Sequence, residues 1–238
     1  MHIAQLSLPL AVLALSACVP APGPAANAAA SPQEAFWQAL SSHCGKAYAG
    51  GLASTDARDA DWADKRMVAH WADCEEDRVA IAFHVEEAPP SSGSEAVRRT
   101  ETSSSSEAVG REQSWNRSRT WIVTREGTGA DTRFTLKHDH RHADGEADAV
   151  SFYGGTSADA GSAAAQDFPL DAESVALFER EGLAASLTNV WRIEVTPRGS
   201  ADARFAYQLT RRNDPTRLFR VEIDASAPVD APPAAWGW

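Results

Sequence analysis

Three histidines recur at every second position in Leu136-Lys137-His138-Asp139-His140-Arg141-His142-Ala143-Asp144-Gly145. In an extended chain, alternate side chains share a face. His138, His140 and His142 then look the same way as Phe134 and Leu136, while Arg133, Thr135, Lys137, Asp139 and Arg141 look the other way. The face that begins apolar belongs in a core, so the imidazoles are expected on the inside, near a strand end where a pocket can open. Neutral imidazole is the commonest metal ligand, and positions two apart on a strand can share one ion. The spacing therefore nominates His138, His140 and His142 as ligands of a divalent cation such as zinc, with Asp139 or Asp144 orienting the rings. The competing reading is a set of packed histidines at a barrel mouth, hydrogen-bonded to backbone and carboxylates.

Other chemistry is poorly represented. No Gly-x-Ser-x-Gly nucleophile elbow and no phosphate-cradling glycine loop is present, and no catalytic residue is nominated. A net charge of −11 over 238 residues argues against a nucleic-acid partner, which needs clustered Lys and Arg. Asn116-Arg117-Ser118 is a formal glycosylation sequon, to which no role is assigned.

The amino end points to export. Ile3 to Ala17 is an apolar run too short to span a bilayer, and it reads as a signal peptide. It ends Leu15-Ser16-Ala17-Cys18, which resembles the bacterial lipobox and implies lipid attachment at Cys18. The segment before the apolar run carries His2 and no Lys or Arg, a departure from the signal-peptide pattern. Residues 18–30 read as a Pro/Ala tether. The expected setting is the cell envelope, outside the cytoplasm, with the chain held to a membrane by its lipid. Cys44 and Cys74 then remain, and in an oxidising compartment they are expected to pair. A loop of about 30 residues corresponds to roughly 3–4 kcal/mol in the chain-entropy model. A Cys/His metal site with His43 or His70 is the alternative.

The elements that must position the histidines follow from periodicity. Ser31-Pro32-Gln33-Glu34 carries an N-cap, a first-turn proline and a capping-box glutamate, and Phe36, Trp37, Leu40, Cys44 and Ala47 continue at helical spacing. Strands are expected over 66–71, 78–85, 118–125, 132–142, 148–153, 189–196, 203–210 and 217–224, with Gly154-Gly155 halting the one that follows the histidine strand. A second helix begins at Asp171 and stops at Gly182. Residues 91–102 and 103–114 are near copies of a Ser/Glu-rich dozen, read as a surface insertion. The Pro/Ala-rich tail, 228–238, is expected to be loose.

One-faced strands joined by short turns make antiparallel sheet. The expected fold is mainly β, an antiparallel barrel or closed meander, lipocalin-like in outline, with two short helices. One domain spans 31–227, interrupted by an insertion at 89–114.

Ser118-Arg119-Thr120-Trp121, Leu136 through Gly145, Tyr153-Gly154-Gly155, Gln166 with Phe168-Pro169, Asn189-Val190-Trp191 with Glu194, and Phe219-Arg220-Val221-Glu222 together resemble a family of bacterial secreted proteins and lipoproteins of uncharacterised activity. The resemblance covers 36–229 and supplies no catalytic residues. The functions left open are a small-ligand or metal-binding barrel, an envelope structural or interaction protein, and a metal-dependent hydrolase.

Overall fold

The computed structural model describes residues 30–87 and 114–238. The signal peptide, Cys18, the tether up to residue 29, and the duplicated insertion lie outside the described residues.

Ten antiparallel strands form one sheet in the order β6-β5-β4-β3-β2-β1-β10-β9-β8-β7. They are β1 (Ala47–Leu52), β2 (Met67–Cys74), β3 (Arg78–Glu87), β4 (Ser114–Glu126), β5 (Arg133–His140), β6 (Tyr153–Thr156), β7 (Ala165–Pro169), β8 (Asn189–Val195), β9 (Arg204–Arg211) and β10 (Asp214–Val229). Two chain-consecutive runs, β1 to β6 and β7 to β10, join where β1 pairs with β10. The two edge strands meet through a bridge between Gly155 and Leu170 and a hydrogen bond from Asp171 N–H to the Gly154 carbonyl. The result is a nearly closed barrel.

Alternation decides which side chains fill it. Val79, Ile81 and Phe83 of β3, Trp121 and Val123 of β4, Phe134 and Leu136 of β5, and Trp191, Ile193 and Val195 of β8 all face the core. Arg192 and Glu194, between them, pair with each other on the outer surface. Helix α1 (Pro32–Ser41) caps the barrel end at which β5 begins, with Phe36 and Trp37 in ring contact with Phe134. Ser31 accepts from Glu34 N–H as the expected N-cap. Cys44 and Cys74 are joined by a disulfide, which ties the segment after α1 to the end of β2. Helix α2 (Ala172–Arg180) starts at Asp171, whose carboxylate accepts from Ser174 N–H, and Ser174 Oγ in turn accepts from Gly154 N–H.

Two strands were invisible to periodicity. Ala47 does not continue α1; it opens β1, whose Gly50-Gly51 looks like a breaker. Gly50 is needed there, since a Cβ would lie 2.0 Å from the Glu222 carbonyl oxygen. β7, five residues ending in a proline, has no counterpart among the expected strands. The strand expected over 148–153 is displaced to Tyr153–Thr156, so that Gly154 and Gly155 lie inside it. A Cβ on Gly154 would lie 1.7 Å from the Leu136 carbonyl oxygen, and one on Gly155 would lie 2.2 Å from that of Pro169. Gly155 therefore lets the two edges approach, and Gly154 lets β6 lie close on β5.

The carboxyl end is seated, contrary to its loose composition. Trp236 N–H donates to the Arg117 carbonyl, the Arg117 guanidinium donates to that of Ala234, and Trp238 Nε1 donates to Asp139. Asp139, expected on a solvent face, is consequently 1% exposed, and it also accepts from Arg141 and Ser151. Nearby on the outer face of β3, His84 is wholly buried, and among the described residues neither ring nitrogen has a partner. Burial, with His70 and Arg117 adding to it, lowers its pKa to about 4.

Gly155→Ala should lower unfolding stability in urea by about 2 kcal/mol or more, because backbone must move. Gly51→Ala, whose Cβ would meet only an ordinary contact at 3.7 Å, should stay within about 0.5 kcal/mol. His84→Leu should stabilise the protein at pH 7 by roughly 1 kcal/mol, since it removes an unsatisfied polar group. The unfolded histidine takes up a proton below about pH 6.5, whereas the folded one does so only near pH 4. The wild type therefore loses stability as pH falls through that window. The advantage of the variant should grow there by about 1.4 kcal/mol per pH unit, measured as urea midpoints at pH 7, 6 and 5.

Candidate functional site

At the end of the barrel opposite α1, the interior opens into a cup of about 540 Å³. Its floor is made of rings that are nearly fully buried: Phe83, Trp121, Tyr207, Trp191 and His138. Phe83 stacks on Trp121 with centroids 4.4 Å apart, and Trp121 stacks on Tyr207 at 4.3 Å. These residues come from β3, β4 and β9, with Trp191 from β8 and His138 from β5. Each is an inward position of its own alternation. The wall adds Trp62, Tyr153, Phe219 and Leu183, and α2 contributes Phe178 against Tyr153. Segments as distant in sequence as 62 and 219 meet here.

The histidine strand delivers two of its three imidazoles to the cup. His138 is 2% exposed. Its Nδ1 lies 3.0 Å from the Tyr153 carbonyl oxygen, which can only accept, so Nδ1 carries the proton. Nε2 is then the acceptor for Tyr207 O–H at 2.7 Å. His138 also stacks on Tyr153 at 4.7 Å, and Tyr153 O–H lies 3.2 Å from His140 Nε2. Desolvation is the leading cause of every shift in this network. It lowers His138 to about 3 and His140 to about 4, raises Tyr153 to about 12, and pushes Tyr207 well above its ordinary value. All four side chains are neutral at pH 7.

His142 does not join them. β5 ends at His140, and the turn that follows carries His142 outward, its side chain 60% exposed and 3.7 Å from Asp148. Asp139 bonds Arg141, Ser151 and Trp238, while Asp144 accepts from Glu146 N–H, so neither orients a ring. Both His138 nitrogens are engaged by protein groups. Among the described residues no group of three or more His, Cys, Asp or Glu side chains gathers where it could hold a metal ion. The expected three-histidine metal set is therefore not assembled by this geometry. Alternation carried the imidazoles inward only as far as the strand ran. Tyr153 reaches the cup through a backbone reversal: Phe152 takes φ 58°, rare for a bulky residue, and donates its N–H to the His138 carbonyl.

Sequence reasoning missed the cations. Arg119, Arg211 and Arg217 line the cup together with Asp59 and Asp148. Arg217 is matched: its guanidinium pairs with both Asp59 and Asp56. Arg119 and Arg211 have no carboxylate within ion-pair distance among the described residues. Arg119 Nη1 donates to Asn116 Oδ1 at 3.1 Å and to Ser118 Oγ at 3.0 Å, and its guanidinium lies 5.0 Å from the Trp62 ring centroid. Arg211 Nε donates to Asn189 Oδ1. Burial disfavours the charge on both, and their pKa values are lowered. The available signal was parity: Arg119 is two residues before the inward Trp121, and Arg211 is two after the inward Leu209.

Comparison of the chain with protein-family models, with curated proteins and with solved structures finds no match in any of the three. The chemistry of the cup must be read from its own walls.

Tyr207→Phe removes the only donor to His138 Nε2 among the described residues and leaves a buried acceptor unpaired. It should lower unfolding stability by about 1–3 kcal/mol while changing the ring packing little, checked by urea unfolding alongside near-ultraviolet circular dichroism.

Proposed function

We propose that this protein is an envelope-facing small-ligand-binding barrel, held to a membrane by lipid on Cys18. The cup itself supports the binding role. A concave site of about 540 Å³ lies within the roughly 300–1,000 Å³ that hold drug-sized ligands. Its walls follow the composition such sites share: aromatic surface with a few polar groups already fixed by hydrogen bonds. The floor is preorganised, because Tyr207 and Tyr153 are each held by an imidazole that cannot charge at neutral pH. A ligand entering therefore displaces water from rings that do not need to rearrange.

Binding without chemistry is the better-supported reading. His138 and His140 are depressed far below the range useful to a general base at pH 7, and their Nε2 atoms face the tyrosine hydroxyls. The anchoring part rests on the lipobox resemblance at Leu15-Ser16-Ala17-Cys18, and the Cys44–Cys74 disulfide accords with an oxidising compartment.

A neutral aromatic probe tests the reading. N-phenyl-1-naphthylamine should bind the full chain saturably, with enhanced probe fluorescence and quenching of the protein's tryptophans. Ser186→Trp places a bulky ring into the lining at a half-buried position and should abolish the probe signal without lowering the thermal midpoint. Equal probe binding by Ser186→Trp and wild type would place the probe elsewhere and defeat the proposal.

A further inference from the structure

We infer that the cup selects planar aromatic anions, with the aromatic body against the Trp121–Tyr207 floor and the Trp62 wall and the anionic group on the free edge of the Arg119 guanidinium. This inference rests on the binding role proposed above and names the ligand class.

Charge supports it. The protein is acidic, with a net charge of −11, yet arginine outnumbers carboxylate at this one concave surface. Of the carboxylates present, Asp59 is committed to Arg217, and Asp148 sits at the exposed rim beside His142. Arg119 is left as a half-buried cation with no counter-ion among the described residues. Such a group is unfavourable in isolation and becomes favourable when an anion is supplied.

Geometry says how an anion would be held. Asn116 and Ser118 both engage Nη1, which fixes the plane of the guanidinium and leaves Nε and Nη2 without partners among the described residues. That edge is the fork that meets a carboxylate or sulfonate with two parallel hydrogen bonds. Trp62 underlies the same guanidinium, so a ring bound beside it would continue an existing cation–aromatic contact. No hydrogen-bond acceptor from a carboxylate lines the floor; the tyrosine hydroxyls there are committed to His138 and His140. At that depth a cationic ligand would meet aromatic faces and, among the described residues, no unpaired carboxylate. Arg211, tied through Nε to Asn189, adds a second positive charge on the lining.

The test uses an isosteric pair, 2-naphthoate and 2-naphthamide, titrated into the full chain and followed by tryptophan quenching and calorimetry. The carboxylate should bind at least tenfold more tightly than the amide in wild type, and the difference should shrink as salt is raised. Arg119→Gln should shrink the carboxylate-to-amide affinity ratio to within about twofold, and Arg119→Lys should retain part of it, as a point charge without the fork. Because the carboxylate–amide contrast is read in wild type, the inference stays testable even if a variant folds poorly. Equal binding of both compounds in wild type would overturn the anion preference and leave the binding role standing. A tenfold preference that persists in Arg119→Gln would overturn Arg119 as the anchor. Failure of both compounds and of the neutral probe to bind would defeat the binding role and this inference with it.

Discussion

A ten-stranded meander begins with two open edges, and the rest of this molecule depends on bringing them together. Open edges expose unpaired backbone donors and acceptors, which is both costly and an invitation to aggregate. Here the edges are β6 and β7, both short, and they meet at Gly155 and Leu170. The approach is possible because position 155 lacks a side chain. Asp171 extends the closure by donating its N–H to Gly154 and then caps α2, so the seam and the helix beside it share residues. Ser174 Oγ accepts from Gly154 N–H from within that helix. A single short stretch thus closes the sheet, ends a strand pair and starts a helix.

Closure gives the interior two ends with different fates. One receives α1, whose Phe36 and Trp37 pack on Phe134. The other stays open between α2 and the segment that carries Trp62, and becomes the cup. The same strand, β5, runs from Phe134 in the plugged end to His138 and His140 in the open one. Its change from apolar to imidazole side chains marks the passage from packed core to binding surface. Imidazole suits that border. It is flat enough to stack on Tyr153 and lie tilted against Trp191, yet each ring can satisfy a tyrosine hydroxyl that would otherwise be buried without a partner. The histidines are therefore the supports of an aromatic lining, and their neutrality is a condition of that role.

The outer face has its own covering. The terminal segment returns across β4 and β5, and Trp238 completes the partners of Asp139. Asp139 and His138 are adjacent in sequence and both nearly fully buried, on opposite sides of the same sheet. The strand that carries the site is thus clamped from both faces, with Tyr207 and Tyr153 within and Arg141, Ser151 and Trp238 without. Such clamping restricts the motions of the first residues a ligand would meet.

Much of this architecture was legible in the chain. Alternation located seven of the strands and assigned inward faces to Phe134, His138, Trp191 and Tyr207 without any tertiary information, because a half-buried strand must repeat every two residues. The caps at Ser31 and Asp171 were also local matters, each a side chain satisfying a nearby N–H. β1, β6 and β7 escaped because their glycines and short length mimic breaks. A glycine that relieves a clash with Glu222 or Pro169 reads, in one dimension, like a glycine that ends a strand. The tail escaped because proline and alanine carry no periodicity, and its place is set by Asp139 and Arg117, far away along the chain. The site divides in the same way. The sequence by itself determined that His138 and His140 point indoors, since that follows from parity within one strand. Only the tertiary structure decided that they serve tyrosines, that His142 leaves them, and that Arg119 faces the cup without a carboxylate. Those outcomes depend on which groups from β3, β4, β8 and β9 arrive at hydrogen-bond distance, and that is fixed by closing the barrel.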